Sequence, residues 1–194
     1  MTSIKPTSRV IIVVASLILV AGFFVPLWQI LMWAPQYPEG LEMDIWYNDI
    51  TGDVKIISAL NHYIGMKHIE VGMFPEFQYI VYIIWFLIGF GLLVAISGKR
   101  FMVWLNAGVL LITGAAALID FYLWGYEYGH SLDPTAAIIV PGMSYQPPLI
   151  GTKVLLNFTA FSGPDLGGWF FVIAFCLVIL VIILERFFFN WKKT

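Results

Sequence analysis

The chain has a single cysteine, Cys176, and only three histidines in 194 residues. One thiol excludes an intrachain disulfide framework and every zinc or iron–sulfur site built on several cysteines. Charge is also scarce: Asp, Glu, Lys and Arg together make up 11% of the residues, too few to cover the surface of a soluble domain. No P-loop, H-E-x-x-H or G-x-S-x-G is present, and no nucleophile stands at a recognisable spacing from a base. The sequence therefore gives no support for an enzyme. Ten basic residues against twelve acidic ones give a net charge of −2, which argues against nucleic acid as a partner.

Apolar side chains are abundant, at 60% of residues, with a mean hydropathy of +0.87. Four runs are long enough to cross a bilayer, which takes about 20 apolar residues per helix. They cover about 10–32, 79–96, 101–124 and 168–189. The first follows Lys5 and Arg9 as a secretory signal would, but it exceeds the ~7–15 apolar residues of a signal core and lacks an A-x-A-like site. It reads as a retained membrane helix. Asp120 lies at the outer edge of the third run, among a belt of aromatic residues.

Seven of the ten lysines and arginines fall before the first run, between the second and third, or around the end of the fourth. That bias places both termini in the cytoplasm and turns the two long connections, about 33–78 and 125–167, outward. The expected fold is an all-α membrane protein, a single membrane domain of four transmembrane helices with two structured extracytoplasmic loops, multi-pass in a bacterial inner membrane. Within the first loop, Leu41–Asn48 alternates as a strand does, and Asp53 is placed to cap a short helix over about 54–64 that Gly65 ends. The two loops share Leu-Asn and Pro-acid pairs in the same order but at different spacing. That order suggests a duplicated hairpin, but ordinary helix-start chemistry is the plainer and preferred explanation. Cys176, inside the fourth run, reads as a small buried hydrophobe.

The stretch LNHYIGMKHIEVGMFPEF, Leu60 to Phe77, concentrates imidazole and thioether groups on the outward side. Such ligands without thiolates suit copper in an oxidising compartment. On the expected short helix His62 and Met66 stand four residues apart on one face. His68 and Met73 follow, and His130 and Met143 are the natural additions from the second loop. The plainer alternative is that the histidines bond to neighbouring backbone while the methionines pack the loops; M-x-x-M or H-x-H repeats, which would separate the two, are absent.

The phrases APQYPEGL, ITGDV, LNHYIGM and FPEF, with YGHSLDP, PGMSYQPPLIG and LLNF, span nearly the whole chain. They resemble a family of small four-helix membrane proteins associated with bacterial nitrous oxide reductase gene clusters, whose accessory proteins deliver copper to that enzyme. The resemblance carries no ligand set. It implies an accessory role in copper handling or metalloenzyme maturation at the periplasmic face, in contact with other membrane or periplasmic proteins as well as lipid. The alternative is a non-metal scaffold subunit of a larger transporter or respiratory complex. A test of the placement is direct: a reporter active only in the periplasm should work when fused after Glu70 or Gln146 and stay silent when fused at Thr194. The opposite pattern would put the histidines and methionines on the wrong side for this chemistry.

Overall fold

A computed structural model of the chain describes residues 3–188; Phe189, at the limit of the fourth apolar run, and Lys192, Lys193 and Thr194 lie outside the described residues. Four helices are long and apolar enough to cross a membrane, as expected. α1 covers Pro6–Ile18 and runs on as a 3-10 segment, Leu19–Phe23; α3 covers Phe77–Ser97, α4 Arg100–His130 and α5 Leu166–Ile183, which ends in a π-helical turn, Leu184–Phe188. Gly98, in the left-handed conformation at φ +62°, turns α3 directly into α4.

The all-α expectation is wrong. Outside the helix bundle lies a five-stranded antiparallel sheet with the order β3-β2-β1-β5-β4. Its strands are β1 Trp28–Ala34, β2 Tyr37–Ile45, β3 Ile50–Gly52, β4 Gly151–Leu155 and β5 Phe158–Pro164, and a short helix, α2, occupies Val54–Tyr63. The first membrane helix is accordingly shorter than its apolar run. WQILMWA extends that run chemically, but it pairs as the central strand of the sheet. Pro26 lacks an N–H and cannot continue a helical ladder through this point. The chain instead turns, and the Leu27 N–H donates to the Ile45 carbonyl at 2.8 Å.

β1 takes one neighbour from each loop. It pairs with β2 from Trp28↔Ile45 through Met32↔Leu41, and with β5 from Trp28↔Pro164 to Trp33↔Thr159. Successive strand residues face opposite sides. One face therefore carries Ile30, Met32, Leu41, Met43, Ala160 and Ser162, of which Ile30, Leu41, Met43, Ala160 and Ser162 are buried. The other carries Gln29, Glu42, Asp44 and Thr51. β4 and β5 form a hairpin around Leu156-Asn157, where Leu156 adopts a φ of +57° that costs a residue with a branched side chain more than glycine or asparagine.

Two apolar cores result. The membrane core packs α1, α3, α4 and α5 through residues such as Ile12, Leu87, Val94, Ala174 and Val178. The outer core sits between the sheet, α2 and the end of α4 and contains Ile30, Leu41, Met43, Ile57, Met66, Ile69, Tyr128 and Tyr145. α4 serves both. Its 31 residues extend to about 46 Å at 1.5 Å per residue, well past a ~30 Å hydrocarbon layer. The helix thus does not stop near Trp124, as its apolar run suggested; its last turns are a pillar for the outer core, with Trp124 stacked on Tyr128 at 4.8 Å. Cys176 is exposed on α5 rather than buried.

At the opposite end of the bundle, the Ile4 N–H donates to the Gly98 carbonyl at 2.8 Å. Buried Glu185 accepts from the Lys5 backbone N–H at 2.7 Å and from the Ser8 hydroxyl at 2.6 Å, with the Arg100 guanidinium 4.0 Å away. The first helix, the α3–α4 turn and the end of α5 are thereby fastened together on the side away from the sheet, which is the grouping the basic residues led us to expect.

The suggested duplication has no structural counterpart. Leu60-Asn61 closes α2, whereas Leu156-Asn157 is a hairpin turn. Asp165 caps α5 by accepting from the Leu166 N–H at 2.5 Å; Glu76, before α3, makes no side-chain cap. Asp53 precedes α2 without capping it, its carboxylate accepting from the Glu42 N–H at 3.1 Å and so clamping α2 to β2.

Ser162 shows how the sheet closes. Fully buried on β5, it accepts from the Trp28 indole N–H at 2.8 Å and donates to the Leu149 carbonyl at 3.2 Å. Ser162→Ala removes both bonds at the seam between the two loops and should lower unfolding stability by about 1–3 kcal/mol. Thermal unfolding in detergent, followed by tryptophan fluorescence, measures this; a midpoint unchanged from the parent would mean that the seam does not depend on this hydroxyl.

Candidate functional site

The outward segment Leu60–Phe77 folds in three pieces, and they separate the residues that the sequence grouped. α2 ends at Tyr63, and Gly65, at φ +84°, turns the chain; a Cβ there would meet the Asp133 backbone oxygen at 2.9 Å. The expected i, i+4 pairing of His62 with Met66 fails for this reason: His62 stays on the exposed face and Met66 swings into the outer core. His68 comes back over the turn to stack on His62, with ring centroids 5.3 Å apart. Met73 ends an exposed 3-10 turn, Val71–Met73, and belongs to neither core. His130, also exposed, stacks on Tyr126 at 4.0 Å and bonds through Nδ1 to the Tyr126 carbonyl at 2.8 Å. Met143 packs, half-buried, against the outer core. Of the six residues, the structure brings together His62 with His68, and it places Met66 and Met143 on the same core. Among the described residues, no group of three or more His, Cys, Asp or Glu side chains is placed to hold a metal ion.

The two loops meet on this segment. The Asp133 N–H donates to the Gly65 carbonyl at 2.8 Å, and the Ile138 N–H donates to the Tyr63 carbonyl at 2.9 Å. Asp133 accepts from the Thr135 hydroxyl at 2.7 Å and backbone N–H at 2.8 Å; these bonds, and then the nearby charge of His62, hold its carboxyl below the usual carboxylate range. Further along, the Tyr145 N–H donates to the Gly129 carbonyl at 2.9 Å. A side chain at Gly129 would strike the backbone of Tyr145 and Gln146, so this close approach needs glycine. Lys67 reaches Glu127 at 3.3 Å, an exposed pair of little energetic consequence.

A cavity of about 70 Å³ lies between the inner sheet face, α2 and the end of α4. Its walls include the thioethers Met32, Met43 and Met66, and its polar groups come from Asn61, Tyr128 and Tyr145. The Asn61 side-chain amide donates to the Tyr128 hydroxyl at 3.0 Å, and that hydroxyl in turn donates to the Lys67 carbonyl. The Tyr145 hydroxyl, by contrast, is buried without a protein partner. A buried hydroxyl left unpaired costs about 1–3 kcal/mol.

Met32, Met43, Asn61 and Tyr145 were not among the residues singled out from the sequence. The signal for Met43 was present in the alternation of Leu41, Met43 and Ile45; that for Met32 was hidden in an apolar run that read as helix. Comparison with known protein families, with characterised proteins and with solved structures returns no match.

The polar face of the sheet has its own electrostatics. One carboxylate oxygen of Asp44 is buried without a hydrogen-bond partner. Burial first, then the charges of Glu42 and Asp165, raise its pKa above the ordinary value of 3.8. A raised carboxyl pKa means that the fold binds the proton more tightly than the unfolded chain does, so ionisation at neutral pH opposes folding and acidification through the raised pKa relieves it. Asp44→Asn should therefore raise the thermal midpoint at pH 7, and its advantage should shrink as pH falls through that range. A variant equally stabilised at every pH, or destabilised at pH 7, would contradict this assignment.

Proposed function

We propose that the chain is a membrane accessory protein for copper handling, acting in metalloenzyme maturation at the outer face of a bacterial inner membrane. One observation carries the reading: three thioether side chains line a single cavity in the extramembrane core. Thioether donors favour Cu(I), and the absence of a thiolate suits a site that must release its metal. The resemblance of the loop phrases to proteins of nitrous oxide reductase clusters makes that copper enzyme the first client to test. His62 and His68 are exposed and lie outside the cavity lining. Met43 and Met66 are buried, and Met32 is half-buried.

Burial changes what a variant can report. Met66 is 7% exposed and packed in the outer core, so Met66→Ala would cost about 2–5 kcal/mol of stability. The informative experiment removes the whole chain from cells. The client enzyme should then accumulate as polypeptide without copper, and added copper should restore its metal content. Loss of the client polypeptide itself, or failure of copper to restore it, would favour the scaffold reading.

A further inference from the structure

We infer that the resting metal site is the methionine wall of the cavity, where Met32, Met43 and Met66 form an all-thioether Cu(I) site, and that the histidine pair is not part of it. The inference rests on the copper-handling reading and assigns its ligands. The strand register supplies the first two donors. Met43 stands opposite Ile30, and Met32 lies two residues along β1 on the same face. Such diagonal neighbours are about 7–8 Å apart at most, which is within reach of two long flexible side chains meeting at one ion. The third donor comes from the other side: the turn at Gly65 carries Met66 off the helix and into the cavity wall.

The surroundings suit a soft monovalent cation. Of the other cavity-lining groups the great majority are apolar, and none carries a formal charge at neutral pH. A divalent ion held without anionic ligands in such a place would lack compensation. Cu(I) bound by neutral, polarisable sulfur carries a smaller charge and prefers such donors. His62 and His68, by contrast, are exposed and stacked on one another rather than turned into these walls.

The two ligand sets differ in a property that can be read directly. Imidazoles lose metal when they protonate near pH 6, whereas thioethers do not titrate. Anaerobic titration of the full chain in detergent against a chromophoric Cu(I) chelator should give one equivalent whose affinity is the same at pH 7.5 and pH 5.5, to within about threefold. Met43→Leu with Met66→Leu, which conserves volume, should weaken binding by about tenfold or more, while His62→Ala with His68→Ala should leave it within about threefold. The parent protein labelled with selenomethionine gives a readout that needs no variant: copper-edge absorption should register selenium neighbours. Absence of selenium scattering, or affinity that collapses at pH 5.5 and in the histidine variant, would overturn the thioether site while leaving copper handling in place. A parent protein that binds no Cu(I) above background would overturn both.

Discussion

The antiparallel pairing of β1 with β5 is the contact on which the extramembrane structure depends. β2 and β3 reach the sheet through β1, and β4 reaches it through β5; β1 follows α1, while β5 leads into α5. With one cysteine in the chain, no disulfide joins the loops. The register from Trp28↔Pro164 to Trp33↔Thr159 holds them instead, reinforced by the Trp28–Ser162 bond and by the Asp165 N–H donating to the Leu27 carbonyl at 3.2 Å. Bringing such distant segments together is entropically costly. The packing of α1 against α5 in the membrane lowers that cost, because it already holds the ends of both strands side by side.

The same register decides where the chemistry goes. A slip of one residue would turn Met32 and Met43 to the face that now holds Gln29, Glu42 and Asp44, and would bury carboxylates against α2. The hydrophobic demand of the outer core forbids it. The thioethers are therefore sheltered by the rule that places any apolar residue on the inner face. Burial of methionine is accordingly no sign of metal by itself; the copper proposal rests on three of them lining one cavity.

The membrane helices were legible because an uninterrupted apolar run of about 20 residues matches the thickness of a bilayer and little else in a folded chain. The strands were not, for reasons specific to each. WQILMWA is central in the sheet and nearly continuous in apolar character, so it merged with the helix before it, and only Pro26 marked the boundary. β2 was partly legible through its alternation, although it begins earlier than Leu41. The β4–β5 hairpin turns on Leu156-Asn157, which lacks the Asn-Gly or Gly-X signature of a two-residue turn. α4 overruns its apolar run because Tyr128 bonds Asn61 and Lys67 of the first loop while Gly125 and Gly129 lie against Pro147, Tyr145 and Gln146 of the second, and nothing in a hydropathy window reports such contacts. For the site, composition located the right segment, but Gly65 decided which of its ligand-type residues face inward, and a helical wheel cannot see past a left-handed glycine.

That turn also sets how the cavity is closed. Gly65 is bonded to Asp133 and Tyr63 to Ile138, so backbone bonds between the two loops flank Met66, while the Gly129–Tyr145 bond ties the second loop back to the end of α4. Whatever occupies the cavity is then coupled to loop docking: an occupant that contacts Met66 on one side and Tyr145 on the other stabilises the docked arrangement by its own binding free energy. The reverse holds as well. Segment 131–148 contains no helix or strand, and its exposed residues include Ile138, Ile139 and Val140. With few backbone bonds of its own, it is the part of the outer layer that opens at least cost. On the copper-handling proposal, holding an ion and giving it up calls for one rigid wall and one yielding wall. Here the rigid wall is the sheet, fixed by β1 and β5, and the yielding one is the second loop.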